Sequence, residues 1–230
     1  MVAADGRPIR VLLVDVHQLL TDSLARLLSA EPNIDVVGVA GTVAGAKALA
    51  HERMDVVLMD YRLPDGTGAE ATRFIKSRWP TARIVMLTAV QDDETLLESI
   101  QAGADGYLTK DRAVADVVAA VRSARAGETL LPRSVIVGIA QRVAGARDRQ
   151  PERLPMDPLT PRELDVMRGL ADGLSTPDIC DRLVISRNTL RTHVQNNIMS
   201  KLDVHSKLEA VAVALRYRII EPPPAEGSLY

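Results

Sequence analysis

The chain has 230 residues and a formal net charge of −2, and its length allows one large domain or two smaller ones. The longest stretch without charge, residues 36–46, is too short to cross a membrane, and the first ten residues contain charges but no apolar signal core. The single cysteine, Cys180, excludes an internal disulfide and fits a reducing compartment. We therefore expect a cytoplasmic protein without a membrane segment.

Short apolar runs alternate with amphipathic stretches between residues 10 and 126. The runs are uncharged and mostly aliphatic, and they occupy residues 11–14, 36–40, 56–59, 84–87 and 106–108. Strands that are buried on both faces of a sheet have this composition. The stretches between them repeat apolar residues at helical spacing, at residues 19–28, 42–53, 68–78, 92–102 and 112–126. The alternation predicts an α/β domain over residues 1–128, with a doubly wound, five-stranded parallel sheet.

The rest of the chain has a different pattern. Residues 129–156 predict a linker helix, opened by Pro132, followed by a flexible linker that is rich in proline, glycine and charge. Residues 157–220 contain no strand-like run and predict an all-α domain of four helices, at residues 161–171, 176–183, 187–200 and 207–218. We expect the tail, residues 221–230, to be disordered.

Reactive side chains follow four of the predicted strands. They are two carboxylates, a hydroxyl and an ammonium group: Asp15, Asp60, Thr88 and Lys110. In open α/β sheets, ligands bind beyond the carboxyl ends of the strands, where these groups would meet. Carboxylates can hold Mg²⁺, and one can attack phosphorus as a nucleophile, while the hydroxyl and the ammonium bind phosphoryl oxygens. Polar residues are common at strand ends, but reactive groups after four of the five predicted strands favour a site.

The segments VLLVDVHQLL, DVVLMDYRLPDGTG, IVMLTA and GADGYLTKD closely resemble the receiver domain of response regulators. This resemblance implies a flavodoxin-like fold in which Asp60 accepts a phosphoryl group from a sensor histidine kinase. It also implies that Asp15, Asp60 and the backbone carbonyl of Arg62 hold Mg²⁺. Thr88, Lys110 and Tyr107 would be the phosphate-binding and switch residues.

The sequence departs from the receiver pattern at Val16, where the family usually has an acidic Mg²⁺ ligand. We therefore expect weak Mg²⁺ binding and poor phosphorylation of Asp60, since even changes around metal ligands cost 10–100-fold in affinity. A regulator of this fold that works without phosphate is the alternative. A more remote alternative is a haloacid dehalogenase-like phosphohydrolase, but that family needs an aspartate at the position of His17. We expect His17 to be a loop residue that caps the following helix.

Residues that typically begin helices divide the C-terminal segment into separate helical patterns. Thr160, Ser175 and Ser186 each precede a helical pattern, and the short gap at residues 184–186 suits a helix-turn-helix. In the third helix an apolar residue recurs every four residues, at Leu190, Val194 and Ile198. The opposite face carries groups that can read bases or bind phosphates: Arg187, Asn188, Arg191, Thr192 and Gln195. On pattern alone, a helical bundle with a solvated polar face explains these residues equally well.

The segment LTPRELDVMRGLADGLSTPDICDRLVISRNTLRTHVQ resembles the LuxR-type helix-turn-helix, which NarL/FixJ-type response regulators join to a receiver domain. The resemblance implies a transcription regulator, not an enzyme, that binds double-stranded DNA as a homodimer. Residues 187–200 would be the recognition helix. Its implied base contacts are Arg191, Thr192 and Gln195, and its implied phosphate contacts are Arg187, Asn188 and Lys201. The implied dimer contacts are Leu208, Val211, Ala212 and Leu215, although the same apolar stripe could instead close the core of the domain.

The recognition helix itself departs from the family pattern in HVQNNIMSKL, which has one extra residue between the histidine and the final leucine. The doubled Asn196-Asn197 marks the insertion. One added residue rotates everything after it by about 100° unless a wider helical turn absorbs it. We therefore predict a local irregularity near residues 196–199.

Overall fold

A computed structural model describes residues 7–88, 93–128 and 157–221. The chain forms two compact units, Met1–Leu130 and Leu131–Tyr230, which are treated separately below. The predicted linker helix and flexible linker lie outside the described residues, and so does the predicted disordered tail beyond residue 221. No helix within the described ranges is long and apolar enough to span a membrane.

The first unit is built around the predicted parallel sheet. Its five strands are β1 (Ile9–Val14), β2 (Ile34–Ala40), β3 (Val56–Asp60), β6 (Arg83–Thr88) and β7 (Gly106–Thr109). They are hydrogen-bonded in the order β2-β1-β3-β6-β7, and every pairing is parallel. The order reverses direction beside β1, so the carboxyl ends of β1 and β3 border the crevice in which such sheets bind ligands.

Four helices connect the strands, and a fifth follows the last strand. They are α1 (Gln18–Ser29), α2 (Val43–Leu49), α3 (Gly68–Arg78), α4 (Asp93–Gln101) and α5 (Lys110–Arg125). Helices α1 and α5 pack together over a core that contains Val11, Leu13 and Leu58, while α2 packs against α3. The prediction of a doubly wound α/β domain is therefore confirmed. A short hairpin after Asp60, formed by β4 (Arg62–Leu63) and β5 (Gly66–Thr67), was not predicted because two-residue strands leave no periodic pattern.

The second unit is helical throughout its described part, as predicted. Helices α6 (Pro161–Ala171) and α7 (Thr176–Leu183) are followed by a continuous helical rod. The rod consists of α8 (Arg187–Thr192), a π-helical segment (His193–Ile198) and α9 (Met199–Lys201). The last helix is α10 (Lys207–Arg216). Complete capping boxes start α6 and α7, and Ser186 caps α8, so the predicted helix starts are confirmed.

Candidate functional site

Two aspartates and a lysine meet at the carboxyl end of the sheet. Asp15 directly follows β1, Asp60 ends β3, and Lys110 begins α5 just after β7. Lys110 Nζ lies 2.6 Å from Asp15 Oδ2 and 2.7 Å from Asp60 Oδ2. Both carboxylates are buried, with exposures of only 3% and 5%. Parallel strands thus bring together three of the groups that the sequence placed at this edge.

The two carboxylates have different electrostatic surroundings. Burial is the largest influence on Asp60, and together with the charge of Asp15 it raises the pKa of Asp60 despite the bond from Lys110. Burial also opposes the charge of Asp15, but hydrogen bonds from Lys110 and His17 outweigh it and lower the pKa of Asp15. Asp15 is therefore the carboxylate that holds its charge more firmly, and Lys110 offsets charge on both.

His17 lies beside this pair, but not in the predicted way. It occupies the N-cap position of α1, yet its side chain makes no capping hydrogen bond, so that part of the prediction was wrong. Its ring Nδ1 instead lies 2.8 Å from Asp15 Oδ1 and 3.3 Å from Lys110 Nζ. A buried carboxylate is a stronger hydrogen-bonding partner for an imidazole than the end of a helix, which explains the difference.

Side chains that could bind a divalent cation are present but few. Asp15, His17 and Asp60 each offer a ligand atom, and these atoms lie within 4.8 Å of one another. Val16, at the position of the missing acidic residue, is 45% exposed and offers no side-chain oxygen. The Arg62 N–H lies 3.4 Å from Asp60 Oδ1, which keeps the Arg62 backbone beside the pocket. The residues fit Mg²⁺ incompletely, with two carboxylates where the family has three acidic residues.

The hairpin after Asp60 brings the backbone at the start of α3 close to the backbone at the end of β3. The N–H of Gly68, at the start of α3, donates to the carbonyl of Tyr61 at 2.7 Å. A Cβ on residue 68 would collide with the backbone carbonyl oxygen of Asp60. Only glycine leaves room there, so Gly68 fixes α3 against the end of the strand that carries Asp60.

The predicted switch residues lie on β6 and β7. Thr88 ends β6 and pairs through its backbone with Thr109, but its side chain lies outside the described residues. Tyr107 is 6% exposed, and its hydroxyl donates to the carbonyl of Leu96 in α4 at 2.9 Å. Burial raises the pKa of Tyr107, so its hydroxyl stays a neutral donor.

A second tyrosine, which the sequence did not single out, also holds α4. The hydroxyl of Tyr61, the residue after Asp60, donates to the carboxylate of Glu98. Arg73 of α3 lies 3.4 Å from the other oxygen of Glu98. A contact between residues 37 positions apart has no periodic signature in a single sequence, and this is why it was missed.

In the second unit, the polar face of the rod at residues 187–201 points away from the core. Arg187, Asn188, Arg191 and Thr192 are exposed, and Gln195 is half-buried. Arg191 Nε donates to Gln195 Oε1 at 2.9 Å, which aligns these two side chains on one face. The predicted base-reading groups are therefore displayed together.

Lys201 and the last helix already make contacts inside the second unit. Lys201 Nζ donates to the buried Glu163 of α6 at 2.8 Å, so in this structure it ties the end of the rod to α6. The predicted dimer residues of α10 are all buried in the structure: Leu208, Val211, Ala212 and Leu215. Their burial indicates that this apolar stripe packs into the core of the second unit.

The predicted irregularity in the rod is confirmed. Residues His193–Ile198 form a π-helix, which overlaps the predicted range and contains both Asn196 and Asn197. A π turn accommodates one extra residue without unwinding the helix on either side. Ile198, which follows the insertion, consequently stays in the core at 0% exposure.

Comparisons with known families agree with both halves of the structure. Residues 11–122 match the family described as "Response regulator receiver domain", and residues 157–214 match "Bacterial regulatory proteins, luxR family". The transcriptional activator DevR/DosR of Mycobacterium tuberculosis is 35% identical over 94% of this chain and 98% of its own length. The response regulator VraR of Staphylococcus aureus is 34% identical over 93% and 99%.

Solved structures show the same folds. A LuxR-family response regulator from Aurantimonas is 33% identical, covers 60% of this chain and 99% of its own, and has a TM-score of 0.53. RcsB of Salmonella typhimurium covers 89% of this chain and 97% of its own, with 22% identity and a TM-score of 0.52. Another RcsB structure, at 21% identity, over 91% and 99% of the chains and with a TM-score of 0.52, contains two dimers bound to two parallel DNAs.

Proposed function

The chain belongs to the two-component response regulators that join a receiver domain to a LuxR-type DNA-binding domain, and from this premise we propose that phosphorylation of Asp60 controls its binding to DNA. The observation that carries the proposal is the buried Asp60 carboxylate with Lys110 Nζ at 2.7 Å. This family consists of transcription regulators, so we favour regulation over the phosphohydrolase alternative. A sensor histidine kinase would be the phosphoryl donor.

The pocket offers a carboxylate nucleophile and a neighbouring cation for phosphoryl transfer. A carboxylate oxygen of Asp60 attacks the phosphorus of a phosphohistidine, the P–N bond breaks, and the donor imidazole leaves with the electron pair. Lys110 offsets the charge of the transferred group, and the Thr88 hydroxyl is the proposed second contact to its oxygens. Asp15, Asp60 and the carbonyl of Arg62 would hold Mg²⁺, which neutralises charge on the phosphoryl oxygens when it is bound.

We predict that Val16 makes this Mg²⁺ site weak. Val16→Asp should restore an oxygen ligand and tighten Mg²⁺ binding by at least about 10-fold. Calorimetric titration of the wild type, Val16→Asp and the matched control Val16→Ala measures this directly. Val16→Ala should bind as weakly as the wild type. Equal, tight binding by all three proteins would contradict the prediction.

Measurements of DNA affinity test whether binding depends on phosphorylation of Asp60. Affinity should be measured with and without acetyl phosphate and Mg²⁺, at stated salt, for the wild type and Asp60→Asn. A gain in affinity that only the wild type shows supports control by Asp60. Binding that is indifferent to both changes supports the phosphorylation-independent regulator. Val16 favours this second candidate, because it leaves the pocket with two carboxylates and without the third acidic group that a Mg²⁺ site of this family uses.

The second unit would recognise double-stranded DNA through the rod at residues 187–201. Arg191, Thr192 and Gln195 are the proposed base contacts, and the exposed Arg187 and Asn188 are the proposed phosphate contacts. Lys201 joins the phosphate contacts only if it leaves Glu163. We propose a homodimer as the bound form, since RcsB, which shares the fold, is seen as dimers on DNA.

A further inference from the structure

The rod at residues 187–201 keeps a strict repeat of four on its buried side. Leu190, Val194, Ile198 and Leu202 are each no more than 2% exposed. Four residues of α-helix turn about 40° beyond a full circle, so three such steps would carry Leu202 about 120° away from the core. The wider turn of the π segment absorbs this rotation, and the repeat stays against the core.

The wider turn of the π segment also affects the exposed side of the rod. Asn188, Thr192, Asn196 and Ser200 also recur every four residues, and all four are exposed. Without the π turn, Asn196 would be offset around the helix axis by about 40° from Thr192 and by about 80° from Asn188. The wider π turn reduces this offset, and Asn196 is exposed on the side of the rod that carries the proposed base contacts.

Asn196 has the chemistry and the freedom to read a base. An asparagine amide can bind N6 and N7 of adenine with two hydrogen bonds in the major groove. Thr192 Oγ1 already donates to the carbonyl of Asn188, and Arg191 is bonded to Gln195. By contrast, the Asn196 side chain makes no hydrogen bond within the described residues. Binding would therefore not require it to give up a partner.

We propose that Asn196, an exposed residue of the π segment, is a base-reading residue that selects adenine, one turn beyond Thr192. This inference rests on the proposed DNA-binding function. It adds a specificity-determining residue to Arg191, Thr192 and Gln195. It also gives the inserted residue a role in recognition, which agrees with the frequent occurrence of π turns at functional sites.

The test is selection of binding sequences from randomised duplexes by the full chain, with and without acetyl phosphate. The wild type, Asn196→Ala and the matched control Asn197→Ala are compared, since Asn197 is the neighbouring amide and is half-buried. Asn196→Ala should lose an adenine preference at one position in each half-site. It should also weaken binding to the selected site by about 10- to 100-fold while leaving affinity for random DNA unchanged. Asn197→Ala should keep the preference.

Two results would overturn the inference, and they differ from failure of the proposed function. One is an Asn196→Ala variant with every base preference intact. The other is an equal loss of affinity for selected and random DNA, which would assign Asn196 to a phosphate. If the wild type enriches no sequence under either condition, the proposed DNA-binding function fails and this inference fails with it.

Discussion

Val184 adopts a backbone conformation that β-branched residues avoid. It lies in the turn between α7 and α8 with φ 52° and ψ 52°, and its side chain is 89% exposed. The N–H of the next residue, Ile185, donates to the carbonyl of Cys180, so the left-handed residue closes the end of α7. The exposed valine therefore gains little from packing, while its backbone conformation remains costly.

We predict that Val184→Asn stabilises the C-terminal unit by about 1 kcal/mol, because asparagine tolerates the left-handed region. Val184→Gly should gain less, since glycine also increases the freedom of the unfolded chain. Calorimetric unfolding of the full chain measures both, with Val184→Ala as the control that keeps a Cβ atom. If Val184→Asn unfolds at a lower temperature than the wild type, the turn is not strained in this way.

At the scale of helices and strands, local signals predicted the structure well. The starts and ends of α6 and α7 follow from their capping boxes and first-turn prolines, which act within four residues of sequence. The strands followed from uninterrupted apolar runs. A local irregularity near residues 196–199 could be predicted because the helix had to absorb one inserted residue, and the structure absorbs it as a π segment.

Contacts between distant parts of the chain were harder to predict. The sequence predicted that Lys110 lies at the same sheet edge as both aspartates. It did not predict that the Nζ of Lys110 contacts both carboxylates at once. It gave no sign that Lys201 pairs with Glu163, 38 residues away. The apolar stripe of α10 could equally fill a core or a dimer interface, since burial removes the same surface from water in either case. Only the structure shows its burial.

The Glu163–Lys201 pair links the start of α6 to the end of the rod. Glu163 is 3% exposed and accepts hydrogen bonds from Lys201 Nζ and from the Thr160 N–H. Burial opposes the charge, but these bonds outweigh it and hold the pKa of Glu163 below its ordinary value of 4.5. A carboxyl with a lowered pKa stabilises the fold above its ordinary pKa, and this stabilisation is lost as the pH falls through the folded value.

We therefore predict that Glu163→Gln lowers stability by about 2 kcal/mol at neutral pH, because the charge-assisted bond to Lys201 is removed. The difference between the wild type and this variant should shrink as the pH falls below 4.5. Thermal unfolding of the full chain over a pH series measures this, and Lys201→Met should converge with the wild type in the same range. A difference that stays constant with pH would mean that the ion pair contributes nothing.

For the molecule as a whole, the net charge of −2 conceals an uneven distribution. Residues 1–128 contain 14 basic and 18 acidic side chains, whereas residues 182–207 contain five basic side chains and one acidic side chain. A neutral total is therefore compatible with DNA binding, since the positive charge is concentrated around the recognition rod. The small number of basic groups favours selective binding over general coating of DNA.

Arg187 provides a measurable test of this distribution, because it is exposed at the start of α8, where a phosphate contact is proposed. Replacing it with glutamine should lower affinity for all sequences alike. It should also reduce the slope of log affinity against log salt by about 0.9 for each phosphate that the arginine neutralises in the wild type.

The matched control is Arg168→Gln, which removes an exposed arginine from α6 where no DNA or dimer contact is proposed and should leave that slope unchanged. Binding of the full chain to one duplex over a salt series separates the two variants. If both variants reduce the slope equally, attraction depends on overall charge, and the rod holds no particular phosphate contact at Arg187. If only Arg187→Gln does so, the positive charge acts through the recognition rod, as its position in the sequence predicts.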